Sequence, residues 1–182
     1  LYDFLNFAHE VSTRLKNRAY CDLVATESFA DSLDLDIYEM PKLFEELDMD
    51  RYELPDVEAF REYLSKRFIS ELSQSHFDAE SGSAMLQSAD EYPDYLRDEE
   101  REALVDMANT VISRVSMPDY GDDESDWSNL EEQLEILEQW ATDPHVRYLK
   151  SQVDDYLSGL EHARQAQQEE AEEEYRLYGA RQ

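Results

Sequence analysis

The side chains able to do chemistry in this chain form a short set. His76, Asp78 and Glu80 alternate as metal ligands on one face of a strand would, but they fall in a polar stretch, SQSHFDAESGS from Ser73 to Ser83. That stretch contains Gly82 and reads as a solvated loop. Asp119, Asp122, Asp123, Glu124 and Asp126 crowd into a second polar stretch, MPDYGDDESD. Their oxygens suit a loosely held Ca²⁺, yet the EF-hand pattern fails, because neither its glycine nor its final glutamate stands in place. Cys21 lies on an apolar helical face, with His9 twelve residues earlier. Nothing in that spacing makes a base and nucleophile, and a small buried thiol is the plainer reading. Ser81 and Ser83 flank Gly82 without the second glycine of a nucleophile elbow.

The other familiar chemistries lack their residues. Four well-separated glycines leave neither a phosphate-cradling loop nor a dinucleotide fingerprint. There is no CxxC, HxxxH or HExxH pattern, so zinc has no scaffold. No glutamate stands three residues before a histidine, which removes the di-iron bundle motif. The expectation is a protein that is not an enzyme, with no catalytic, cofactor-binding or metal-binding residues and no cofactor.

What stands out is acid. The chain of 182 residues carries 45 Asp and Glu against 16 Lys and Arg, a net charge of −29. Between Glu91 and Val146, seventeen carboxylates face only Arg97, Arg101 and Arg114. Nucleic acid is a polyanion and needs a basic patch on its binder. Here the bases are scattered apart from Arg14–Lys16–Arg18 and Arg61–Lys66–Arg67, which argues against direct nucleic-acid binding. The partner such a surface suits is a basic protein surface, such as that of a nucleic-acid-binding enzyme.

The elements that must carry these charges are helices. Residues 1–20 place Leu1, Phe4, Leu5, Ala8, Val11 and Leu15 at helical spacing. Pro41 opens a short helix through Leu43, Phe44 and Leu47, and Pro55 the first turn of a longer one through Phe60, Tyr63, Leu64, Phe68, Ile69 and Leu72. Asp98 starts a helix with an acidic first turn, buried through Leu104, Val105, Ala108, Val111, Ile112 and Val115. Ser128 and Glu131 form a capping box for the next helix, buried through Leu130, Leu134, Leu137 and Ala141 with Trp140 beside them. Asp143-Pro144 caps the last and longest helix. There Val146, Leu149, Val153, Tyr156, Leu160 and Ala163 form a heptad seam, fit for a helical hairpin or a short coiled coil that leaves a homo-oligomer open.

Leucines number 21, against eight Val, four Ile and four Thr, which disfavours strands. The predicted fold is therefore an all-α bundle of about five to seven helices with a long C-terminal helix. Residues 1–163 are expected to form the acidic bundle, and residues 164–182 a charged helical extension or frayed tail. A hydrophobic content of 41% argues for a real core. A single cysteine excludes an internal disulfide, and no apolar run is long enough for a membrane span. A soluble, cytoplasmic protein is expected; Leu1 is not a methionine, which leaves either a short missing N-terminal piece or an unusual start.

Two functions of different class fit. One is a DNA mimic. Twenty-nine net charges correspond to about 49 Å of duplex at ~1.7 Å per charge, and a compact chain of this length spans about 40 Å. In composition the chain resembles the small acidic helical anti-restriction proteins of phages, although it shares no motif with them. That resemblance implies a viral or prokaryotic inhibitor acting through protein–protein interaction. Asp119, Asp122, Asp123, Glu124, Asp126, Glu131 and Glu135 are then the partner-binding residues. The other is halophilic adaptation of an all-α adaptor, chaperone or subunit. Scarce lysine, four against twelve arginines, and abundant Asp and Glu fit that equally. The inhibitor reading leads because a binding experiment can overturn it.

Overall fold

In a computed structural model the chain is an all-α helical bundle, with no strand among the described residues, 35–48, 57–119 and 123–179. These hold six α-helices: α1 (Met40–Asp48), α2 (Val57–Gln74), α3 (Ala79–Asp90), α4 (Asp98–Ile112), α5 (Glu124–Trp140) and α6 (His145–Gly179). Short 3-10 turns, Ile37–Glu39 and Pro93–Tyr95, precede α1 and α4. The helix expected over residues 1–20, with His9, Cys21, Pro55 and Asp122, lies outside the described residues. No helix among those described is long and apolar enough to cross a membrane. The chain divides into two compact units, Leu1–Phe77 with Ala84–Met107, and Asp78–Ser83 with Ala108–Gln182.

In the first unit, α1 buries Met40, Leu43, Phe44 and Leu47, the helical spacing seen after Pro41. α2 answers with Leu64, Phe68 and Leu72, one residue per turn on one face. Phe44 and Phe68 meet edge to face, centroids 5.5 Å apart at 90°, worth about 0.5–1.5 kcal/mol beyond the area buried. α4 buries Leu104, with Val105 half-buried, and continues into the second unit, where Ala108, Val111 and Ile112 are buried and Val115 is half-buried.

The loop expected from Ser73 to Ser83 is mostly helix. α2 runs to Gln74 and α3 begins at Ala79, leaving four residues between them. A reciprocal cap is the reason. The Asp78 Oδ1 accepts from the Ser81 backbone N–H at 2.8 Å, and the Ser81 hydroxyl accepts from the Asp78 N–H at 3.0 Å. Two otherwise orphan donors of the first turn are thereby satisfied. The polar run DAESGS, Asp78 to Ser83, hides a capped helix start whose following turns bury Met85, Leu86 and Ala89.

In the second unit α5 and α6 pack together along much of α5. α5 buries Trp127, Leu130, Leu134 and Leu137, and α6 buries Val146, Leu149 and Val153. Both sets step by three and four residues, the pattern of helices packed side by side. The connection between them is short and pinned. Asn109 Oδ1 accepts from the Thr142 and Asp143 backbone N–H groups at 2.9 and 3.0 Å, and Asp143 Oδ1 accepts from the His145 N–H at 2.9 Å. The expected aspartate cap of α6 is thus present.

The capping box expected at Ser128 and Glu131 is not the start of α5. The helix begins a turn earlier, at Glu124, with Asp123 as its cap accepting from the Ser125 N–H at 3.3 Å. An acidic first turn suits the helix dipole, and starting there places Trp127 in the buried stripe. Ser128 then lies in the second turn. Beyond Leu160, residues 161–173 of α6 are exposed on every side, and the helix passes residue 164 without a break.

Candidate functional site

Along α5, Glu131, Glu135 and Glu138 recur at intervals of four and three residues, and along α6 Lys150 and Asp154 lie four apart. Residues so spaced share a helix face. The antiparallel register of the two helices can be followed pair by pair. Lys150 Nζ donates to Glu138 Oε2 at 2.8 Å, with Arg147 Nε 3.6 Å from the other oxygen. Three turns nearer the start of α5, Trp127 stacks on Tyr156 with centroids 3.9 Å apart. At the start of α5, Glu124 takes both guanidinium nitrogens of Arg164, Nη1 to Oε1 at 3.0 Å.

The electrostatics change along this ladder. The Lys150 hydrogen bond and charge hold the Glu138 carboxyl below the usual range, and the same bond raises Lys150. Glu131 goes the other way. Partial burial, then the Asp154 and Glu135 carboxylates, hold it above the usual range, and the Lys150 charge offsets this only in part.

The residues expected to meet a partner are spread over this hairpin and its approach. Asp119, Asp126 and Glu135 are exposed. Asp123 is occupied as the α5 cap and Glu124 by Arg164. Glu131 is half-buried. The seam residues separate into two groups. Val146, Leu149 and Val153 are buried, whereas Tyr156 and Leu160 are half-buried, Tyr156 under the Trp127 ring. No group of three or more His, Cys, Asp or Glu side chains among the described residues is placed to hold a metal ion.

One charged site escaped the sequence altogether. Arg61, counted with Lys66 and Arg67 as a basic cluster, is fully buried in the first unit. It forms a two-pronged pair with the equally buried Glu100, Nη2 to Oε2 at 2.8 Å, and donates to the Tyr95 carbonyl at 3.0 Å. Its guanidinium lies 3.6 Å over the Phe44 ring. Glu100 also accepts from the Arg97 N–H at 2.9 Å, a first-turn carboxylate reaching back to its own helix start. The position of Glu100 in that turn was the available signal; nothing in the spacing ties it to Arg61. Lys66 and Arg67 instead bridge Glu62 and Glu71 along α2.

This arrangement presents carboxylates and stacks aromatics. No protein family matches the chain, and neither a curated protein nor a solved structure matches it.

Proposed function

We propose that the chain is a non-enzymatic acidic binding protein that imitates nucleic acid and occludes the basic groove of a nucleic-acid-binding enzyme, as an inhibitor of restriction or a similar defence in a prokaryotic cytoplasm. One observation carries the reading. α6 is a single helix of 35 residues, about 52 Å long, and beyond Leu160 it carries Glu161, Glu169, Glu170, Glu172 and Glu173 fully in solvent. Carboxylates three or four residues apart on a helix lie about 5–6 Å from each other, near the phosphate spacing of a strand. Asp126 and Glu135 on α5 add to the same unit. A rod of fixed negative charge offers a basic groove what a duplex offers it.

The test is a binding titration against a nucleic-acid enzyme recovered by pull-down, with duplex DNA as competitor. One variant carries Asp119→Asn, Asp126→Asn and Glu135→Gln, sparing the cap Asp123 and the paired Glu124. The other carries Glu169→Gln, Glu170→Gln, Glu172→Gln and Glu173→Gln. Weakened binding with a shallower salt dependence is expected, and DNA should displace the protein. Full affinity in both variants sinks the reading, and equal losses mean that total charge alone acts.

A salt-adapted adaptor or subunit is the second reading, favoured by acids being spread over the exposed positions of both units. Asp36, Glu39, Asp90, Glu91, Asp94, Asp98 and Glu99 in the first unit are exposed as well. On this reading self-repulsion over a Debye length of about 30 Å at ~0.01 M salt loosens the fold, and circular dichroism across a salt series detects it. A fold that holds at low salt counts for the mimic.

A further inference from the structure

α6 outruns the hairpin that holds it. Val146, Leu149 and Val153 are buried against α5, Tyr156 lies under the Trp127 ring, and both terminal nitrogens of Arg164 donate to the Glu124 carboxylate. Beyond Arg164 the helix runs on to Gly179, and residues 165–173 are exposed on every side. A helix segment that buries nothing persists only through its own propensity and its side-chain pairs. Its alanines, glutamines and glutamates are strong helix formers. Their charges oppose them. Glu169 stands three and four residues before Glu172 and Glu173, and Glu170 stands three before Glu173, spacings at which like charges repel. Against these, Arg176 follows Glu172 by four residues and Glu173 by three, where opposite charges attract. We propose that α6 beyond Arg164 is a charge-gated helical arm, whose helix lengthens when its glutamates are screened or neutralised and shortens when their repulsion is felt in full.

Ionic strength sets the gate. Carboxylates about 5–6 Å apart repel almost unscreened at ~0.01 M salt, where the Debye length is about 30 Å, and are shielded at ~1 M, where it is about 3 Å. The hairpin does not share this sensitivity, because buried side chains and the Arg164–Glu124 pair hold it. Fully helical, the arm from Arg164 to Gly179 reaches about 22 Å past its last anchor. The inference concerns the helix of the arm and does not rest on the proposed function. On that function, a basic groove neutralises the same glutamates and so completes the rod that it binds.

Amide hydrogen exchange of the full-length chain at ~0.01 M and ~1 M sodium chloride is the test, read as protection relative to the same peptides unfolded. In the wild type the arm should gain protection with salt. Glu169→Gln, Glu170→Gln, Glu172→Gln and Glu173→Gln together should raise arm protection about three- to tenfold at low salt, and the gap should close at high salt. Glutamine matches glutamate in helix propensity, so the gain reads charge. Arg176→Gln removes the attraction and should lower arm protection at low salt. Peptides from Val146 to Tyr156 should exchange alike in all three proteins. Equal arm protection in the wild type and the glutamine variant at low salt overturns the gate. So does a wild-type arm protected as strongly as the hairpin at both salt concentrations. A loss at low salt spread evenly over arm and hairpin overturns it too, since repulsion then acts on the whole fold.

Discussion

Arg61 and Glu100 face each other as a two-pronged ion pair with no side-chain surface open to solvent on either partner. Asp48 stands 3.6 Å from the Arg61 Nε, a third charge on the edge of the pair. Burying charge is unfavourable unless the geometry satisfies it; here Tyr95, Arg97 and the Phe44 ring add contacts to the pair, and the Arg61 Nε alone of its buried atoms makes no hydrogen bond. Glu100→Leu should therefore destabilise the protein by about 3–5 kcal/mol, because it strands a buried guanidinium. Arg61→Met with Glu100→Leu should recover most of that loss. Urea unfolding of the three proteins checks it; a double variant as unstable as the single one would mean that the hydrogen bonds to Tyr95 and Arg97, and not charge balance, hold the site.

The seam of α6 makes a graded prediction. Val153 is fully buried and Leu160 half-buried. Val153→Asp should cost several kcal/mol, as an unpaired charge in an apolar layer does. Leu160→Asp should cost less, since water reaches its carboxylate. Chemical denaturation ranks the two, and equal losses would show Leu160 shielded by a second chain, which the concentration dependence of the melt would then reveal.

Asp78 carries a pH dependence of the opposite sign to Glu131. The Ser81 hydroxyl and backbone N–H bonds hold its carboxyl below the usual range. Its cap is therefore worth most above the unfolded value of about 3.9 and is lost as pH falls through the lower folded value. Asp78→Ala should cost about 1 kcal/mol near neutral pH, the usual loss on removing a cap. Melts of both proteins at neutral pH measure it, and an unchanged midpoint would mean that Ser81 alone holds the helix start.

Gly159 offers a gain. It sits inside α6, and a methyl group added there meets nothing within 4 Å. Alanine removes backbone freedom from the unfolded chain and favours the helix, so Gly159→Ala should stabilise by about 0.4–1 kcal/mol. Thermal unfolding reads it, and a loss of stability would show that the surface of α6 at this point is covered in solution.

Much of this architecture is local, and local patterns are legible in a sequence. Leu43 to Leu47, Leu64 to Leu72 and Val146 to Val153 recur at spacings of three or four residues, and each lies in a buried stripe as the spacing predicts. Asp143 before Pro144 marks the start of α6 in the same way. Helix starts were harder where polar residues serve as caps. Asp78 with Ser81 reads as loop, and Ser128 with Glu131 reads as a cap, because a capping residue and a solvated one have the same composition. Only the tertiary structure decided which charges lie inside. Arg61 and Glu100 are 39 residues apart, and Glu138 and Lys150 lie on different helices. Pairing over such separations is set by how whole helices pack, which no spacing within one helix encodes. Periodicity and composition are enough for an acidic all-α chain with a long last helix; packing sets which of its acids are surface, which are caps, and which, like Glu100, are buried against a base.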